Sequence, residues 1–316
     1  MAITKMRLPQ GIINTGSQHL IGAGELFTTG TVFYVDSVTG SDGNLGTDPK
    51  LPKATVDSAI GACTATKGDT IILMPGHAET VTATSIALDV AGVTVLGLGV
   101  GLKRPAFTFG AAAATITVTG ANCAWSGCHF IGNFLDVAAA FTIGAAKDFA
   151  LTNNTFEDNT ASLGFLSVVV TGATNNDADG LTIVGNYWRS LDVSPNAFVS
   201  ILANENRLTV TDNEVFKDAT NDAGQFITLS SKVLLGARIS RNKLIVVGAT
   251  GTTVGIFLTG SGTTSKGVVD NNYVSSLDTT TELLFTAGTG LVFFENYYTG
   301  VADKSGYLLP AADSAA

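Results

Sequence analysis

The sequence is short of charge, cysteine and proline, and each shortage narrows what the protein can be. Charged residues make up only 14% of the 316 residues, and 26 acidic against 17 basic side chains leave a formal charge of −9. Tracking a nucleic-acid backbone requires concentrated Lys and Arg, so nucleic acid is excluded as the main partner, whereas a protein shell or a glycan is not. Three cysteines, Cys63, Cys123 and Cys128, cannot build the dense disulfide framework of a small secreted domain and read as reduced, buried thiols. No uninterrupted apolar run approaches the ~18 residues of a membrane span, so no membrane partner is expected. The first residues lead from Lys5 and Arg7 into Pro9 and Gly11 rather than into an apolar signal core.

What is abundant points one way. Thirty-six glycines and runs of Thr, Val, Ala and Asn, with seven prolines, favour many short strands joined by tight turns. A surface of Ser, Thr, Asn and Gly with few charges is also one that another subunit can cover, so a homo-oligomer is expected.

The strongest signal is a repeat. An apolar residue, two intervening residues, an asparagine, one residue and a second apolar or aromatic residue recur as LTNNTF (151–156), IVGNYW (183–188), VTDNEV (210–215), ISRNKL (239–244), VDNNYV (269–274) and FFENYY (293–298). VLGLGV (95–100) and WSGCHF (125–130) fit with the asparagine replaced. The matched positions, Leu98, Cys128, Asn154, Asn186, Asn213, Asn242, Asn272 and Asn296, lie 24 to 32 residues apart. Alternating apolar residues on either side mark short strands with one buried face. The pattern therefore predicts an all-β, right-handed parallel β-helix of about eight or more coils. Val95, Trp125, Leu151, Ile183, Val210, Ile239, Val269 and Phe293 would stack inside, followed after the turn by Val100, Phe130, Phe156, Trp188, Val215, Leu244, Val274 and Tyr298. Asparagine suits the bend because it tolerates left-handed backbone and its amide can bond the neighbouring chain. Amides stacked ~4.8 Å apart can form a ladder. Flanking residues should face outward, which sets Asp212 over Arg241 and Glu214 over Lys243 as opposite-charge pairs.

The ends differ from the middle. From about 54 to 64, Val56, Ala59, Ile60 and Cys63 fall on one side at helical spacing, as a short helix covering the open end of the core. Residues 1–31 lack the coil pattern and carry Pro9 and several glycines; they read as an extended arm that docks on a neighbour through Leu8, Ile12, Ile13 and Leu20. The β-helix, cap included, is expected to span 32–300, with a C-terminal tail over 301–316.

Residues 33–81, with YVDS (34–37), GSDGNLGTDPKLPKAT (40–55), DSAI (57–60) and GDTIILMPG (68–76), resemble the opening segment of right-handed parallel β-helix proteins of the pectate-lyase-like superfamily. The later Asn-turn coils resemble the same superfamily, so the likeness covers about 270 residues. It speaks to fold more than activity, because such openings occur on lyases, glycosidases, epimerases and non-enzymatic virion proteins. The arm together with QHLIGAGELFTTGTVFYV (18–35) is more similar to β-helix proteins of tailed bacteriophages. That resemblance implies a structural virion protein decorating or reinforcing the capsid exterior, assembled in the host cytoplasm, with the major capsid protein or another virion protein as partner.

Catalytic readings find little support. A lyase of the superfamily is expected to present clustered calcium-binding aspartates beside an outward Arg or Lys, and no three carboxylates share a matching position on consecutive coils. Glycosidic hydrolysis needs two carboxylates across a cleft; Glu157 with Asp158, or Asp218 with Asp222, are the candidates. Asp36, Asp42, Asn44 and Asp48 offer calcium-type oxygens without the spacing of an EF-hand, so a metal-free turn network is preferred and no cofactor is expected. His77 and Glu79 are expected to face water, and Cys128 and His129 to point to opposite sides of their strand. Tyr187, Tyr273 and Tyr297, each following a ladder residue, are the candidates for surface contact. They carry the alternative, a tail-associated glycan-binding protein or polysaccharide depolymerase.

Overall fold

The computed structural model describes residues 28–83, 85–191, 196–218, 224–247, 255–261, 264–275, 285–286, 290–299 and 305–307, together with strands 6–8 and 11–13. The chain is an all-β, right-handed parallel β-helix. Each coil adds one strand to each of three sheets in turn, as Ala124–Ser126, His129–Gly132 and Phe141–Ile143 do. Among the described residues the first sheet holds eleven strands, the second ten and the third eight.

Register follows from which residues can be buried. In the first sheet Val95, Trp125, Leu151, Ile183, Val210, Ile239, Val269 and Phe293 lie side by side on consecutive coils. In the second, Phe130, Phe156, Trp188, Val215, Leu244, Val274 and Tyr298 do the same. All but Phe293 and Tyr298 are buried. A one-residue slip would turn every such side chain to solvent, at roughly 1.5–3 kcal/mol for each large apolar group. Phe107, Phe130 and Phe156 stack with ring centroids 5.4 and 5.0 Å apart, and Trp125 meets Phe107 edge-on.

One coil departs from the repeat read in the sequence. Val100 is 85% exposed, and the inward place beside Phe130 belongs to Phe107. After Thr94–Gly97 the chain leaves the coil through Leu98 and the 3-10 turn Gly101–Lys103, and re-enters it at Ala106–Phe109. Gly97 is packed so closely beneath the next coil that a Cβ there would lie 2.6 Å from the Gly127 carbonyl oxygen. Leu98 and Val100 therefore belong to the excursion, not to the stack.

At the bend between the first and second sheets, the backbone and the amide divide the work. The left-handed residue is the one before the ladder position: Gly127, Asn153, Gly185, Asp212, Arg241, Asn271 and Glu295 all have φ between 51 and 80°. The expectation that the ladder asparagine itself takes this conformation is thus corrected. Asn154, Asn186, Asn213, Asn242, Asn272 and Asn296 are instead buried, at 1% exposure or less. The Oδ1 of Asn213 accepts both the backbone N–H (2.9 Å) and the Nδ2–H (3.0 Å) of Asn186, and its own Nδ2 donates to the Ile183 carbonyl at 2.9 Å. The same exchange runs from Asn154 to Asn296. Cys128 heads the series: its N–H donates to Asn154 Oδ1 at 3.0 Å, and its thiol accepts from the Trp125 indole at 3.3 Å.

The first coils are closed by the helix Val56–Ile60, which buries Val56, Ala59 and Ile60. Thr55 caps it by accepting the Ser58 N–H. At the other end Ser305–Tyr307 turns back to pair antiparallel with Tyr297–Thr299. The N-terminal strands Met6–Leu8, which contains Leu8, and Gly11–Ile13, which contains Ile12 and Ile13, pair with each other as a separate two-stranded antiparallel sheet. Leu20 lies outside the described residues.

Ile239 sits fully buried between Val210 and Val269. Ile239→Asp places a carboxylate there and should lower stability by about 3 kcal/mol or more. Chemical unfolding followed by circular dichroism measures this, and a near-native transition would place Ile239 outside the core.

Candidate functional site: the outer face of the second sheet

Side chains alternate along each strand, so the second sheet has two outward columns. One contains His129, Thr155, Tyr187, Glu214, Lys243, Tyr273 and Tyr297; the other Ile131, Glu157, Arg189, Phe216, Ile245 and Ser275. Tyr187 and Tyr273 are half-buried among their neighbours, and Tyr297 is 42% exposed. Tyr273 and Tyr297 occupy adjacent coils, while Tyr187 stands apart, separated from them by Glu214 and Lys243. The Tyr273 hydroxyl lies 3.1 Å from Thr299 Oγ1.

Charge on this face is ordered. Glu157 binds Arg189 at 3.2 Å, and Glu214 binds Lys243 at 3.4 Å. His129 Nε2 lies 3.3 Å from Glu157 Oε2, near enough for an ion pair, but the alignment gives it no hydrogen bond. Burial lowers the His129 pKa against the opposing pull of Glu157. Arg104, which the sequence pattern did not single out, reaches from the excursion across three coils. Its Nε donates to the Gly127 carbonyl at 3.2 Å, and its two terminal nitrogens donate to Thr155 Oγ1 and the Asn153 carbonyl. Beside the face, Arg241 grips Asp212 bidentately at 2.7 and 2.6 Å, and this guanidinium holds the Asp212 carboxyl below its ordinary range.

The pair Glu157 and Asp158 does not form a hydrolytic site. Glu157 points outward, whereas its neighbour Asp158 points inward and is fully buried. The buried carboxylate accepts the N–H groups of Phe165 and Leu191 and the Trp188 indole, so it cannot share a cleft with Glu157. Asp218 is exposed, and Asp222 lies outside the described residues. Cys128 and His129 face opposite ways, and burial pushes the Cys128 thiol up to about 12.

The polar loop 36–48 serves its own turns. Asp36 accepts from the Val38 N–H and the Thr39 hydroxyl; Asp42 accepts from the N–H groups of Ala54 and Thr55. Asn44 donates to the Pro52 carbonyl, and Asp48 accepts the Lys50 N–H. Burial raises the Asp36 and Asp42 carboxyls, but these hydrogen bonds outweigh it and hold both below their ordinary range. Among the described residues no three His, Cys, Asp or Glu side chains group as a metal site.

His77 differs from its expected place in water: it is fully buried. Its Nδ1 accepts the Ser37 N–H at 3.1 Å, which leaves Nε2 as the protonated nitrogen facing Glu79 Oε2 at 3.3 Å. The same Glu79 oxygen accepts the Val56 N–H at the start of the cap helix. His77 and Glu79 therefore pin the cap to the first coil.

A shallow polar groove of about 370 Å³ lies between the third and first sheets, lined by Asn175, Asn176, Asn204, Asn206, Val233, Leu235 and Thr264. Beneath it Glu205 is 1% exposed; one carboxyl oxygen accepts the Ala178 N–H, and the other has no hydrogen-bond partner among the described residues. Nothing in the sequence repeat marked Glu205, because a Glu in an inward position resembles the outward ones in a short strand.

No family model matches the sequence, and no curated protein matches it. Among solved structures, a rhamnogalacturonan lyase aligns over 89% of this chain and 90% of its own at 13% identity and a TM-score of 0.36. A likeness of that degree carries neither activity nor substrate, and the fold stands on the strand topology alone.

Burial pushes the Glu205 carboxyl up from 4.5 to about 7, with Asp179 and Asp177 adding to the effect. The folded state then holds a proton that the unfolded state releases. The stabilising contribution of the protonated Glu205 should be full below pH 4.5, fall as pH rises to about 7 and level off, by on the order of 2–3 kcal/mol. Glu205→Gln should flatten that slope in denaturant titrations across pH; parallel curves for the two proteins would refute the assignment.

Proposed function

We propose that the chain is a structural virion protein of a bacteriophage, decorating or reinforcing the capsid exterior, with the major capsid protein or another virion protein as its partner. The observation that carries this reading is the unbroken run of buried amides and apolar columns, which makes the body a stiff rod rather than a scaffold opened around a reaction centre. Two further features support it: the resemblance of the arm and opening segment to β-helix proteins of tailed phages, and the arm's strands pairing apart from the rod. In this role the β-helix resists proteolysis and mechanical load, while residues 1–31 attach it to the shell, and assembly takes place in the host cytoplasm.

A second reading, tail-associated glycan binding with or without depolymerase activity, is favoured by the adjacent Tyr273 and Tyr297 on the outer face. Cryo-electron microscopy of particles carrying the full chain, compared with particles given a chain lacking 1–31, separates these. Regular density on the head that disappears with the arm is the expected result. Density confined to the tail, with saturable binding on a carbohydrate array that Tyr273→Ala abolishes, would support the second reading instead.

A further inference from the structure

The groove between the third and first sheets is walled by a second set of amides, carried on the outside of the stack. Asn175 and Asn176 stand on one coil and Asn204 and Asn206 on the next, ~4.8 Å along the stack. Each amide is fixed at one end by a bond within the protein. Asn175 Oδ1 accepts the Asn204 N–H at 3.0 Å, and Asn204 Oδ1 accepts the Val233 N–H at 2.8 Å. Asn206 Nδ2 donates to Asn176 Oδ1 at 2.8 Å and to Asp179 Oδ2 at 3.1 Å. These bonds settle which way the amides point, because a backbone N–H meets an oxygen and a carboxylate oxygen calls for a donor.

The other end of each amide is left to the groove. The Nδ2 groups of Asn175, Asn176 and Asn204 and the Oδ1 of Asn206 have no partner among the described residues. Three amino groups and one acceptor thus line a space of about 370 Å³, within the range of small-ligand sites. Val233 and Leu235 form the adjoining wall on the following coil, and Leu235 is 46% exposed. None of the described residues that line the groove is charged.

We infer that this groove binds a neutral saccharide, with a pyranose ring held at its hydroxyls by the amides and laid by its C–H face against Val233 and Leu235. A hydroxyl both donates and accepts, so neighbouring ring hydroxyls can take N–H groups from Asn175 and Asn204 while one donates to Asn206 Oδ1. The apolar wall removes the C–H face from water. The lack of a lining cation sets the ligand class, because a uronate, sulfate or phosphate would lose hydration with no ion pair in return. The lining also carries no carboxylate, so the site holds a sugar without a group to cleave it. A shallow site with few contacts gives a Kd on the order of 0.1–1 mM. The groove lies away from Tyr273 and Tyr297 on the second sheet, so this site rests on neither functional reading above.

Saturation-transfer NMR titrations of the full chain with cellohexaose, maltohexaose and mannohexaose, and with hexagalacturonate as the charged probe, test this. At least one neutral hexaose should bind in that range and more tightly than hexagalacturonate. Asn204→Asp and Asn175→Asp keep the oxygen that accepts a backbone N–H but replace the outward amino group with an oxygen. Each should weaken binding about tenfold or more, while circular dichroism shows the fold unchanged. Tyr273→Ala should leave binding as it is. If the aspartate variants do not fold, Leu235→Ala, which removes the apolar wall and must also weaken binding, decides. No transfer to any neutral hexaose at about 10 mM, tighter binding of hexagalacturonate, binding indifferent to these groove variants, or binding lost in Tyr273→Ala would overturn the site.

Discussion

The structure depends on one requirement: a polar side chain carried into the interior at the same corner of successive coils must have all its hydrogen-bonding groups satisfied there. An asparagine amide has two donors and an acceptor oxygen with two lone pairs. In the ladder the oxygen takes two bonds from the preceding coil, and one N–H reaches the next amide while the other reaches a carbonyl. Burial strengthens such bonds and makes their loss expensive. Each coil is thereby held at a fixed height and rotation over its neighbour, and the columns of Val, Ile, Leu and Phe fall into line as a result.

Fixing the corner also fixes what points outward. Because the left-handed residue precedes the asparagine, the side chains on either side of the ladder are thrown to the surface, where they meet their counterparts one coil away. Asp212 finds Arg241, and Glu214 finds Lys243. Individually such exposed pairs contribute little. Their significance is spatial: a rigid stack turns a sequence of charges separated by some thirty residues into an ordered stripe.

Much of this was legible in the sequence because asparagine recurs where an apolar alternation breaks, and the recurrence alone aligns the coils. The failures have physical causes. Val100 was misplaced because the excursion through Gly101–Lys103 imitates the apolar spacing of a bend, and only the contact of Phe107 with Phe130 reveals the true column. His77 was misread because its partners are far off in the chain, the Ser37 N–H forty residues before it and the Phe107 ring on the next coil. The interior position of Asp158, two residues after inward Phe156, follows from alternation once the strand Thr155–Asp158 is known to extend that far, whereas Glu205 lies in a two-residue strand too short to show a parity. The ordered outward face needed all the coil registers at once before its pattern of sign appeared.

The hydrogen bonds of the ladder run in one direction, each amide receiving from the coil before it and giving to the coil after. Every interior coil therefore presents the same donor and acceptor set at its two faces. A gene segment encoding one whole coil could be duplicated or deleted between Asn154 and Asn296 without leaving an amide unmatched, whatever the length of its loops. Rod length is thus open to evolutionary change in steps of one coil, while the ends, with their own cap and closing strand, remain as they are.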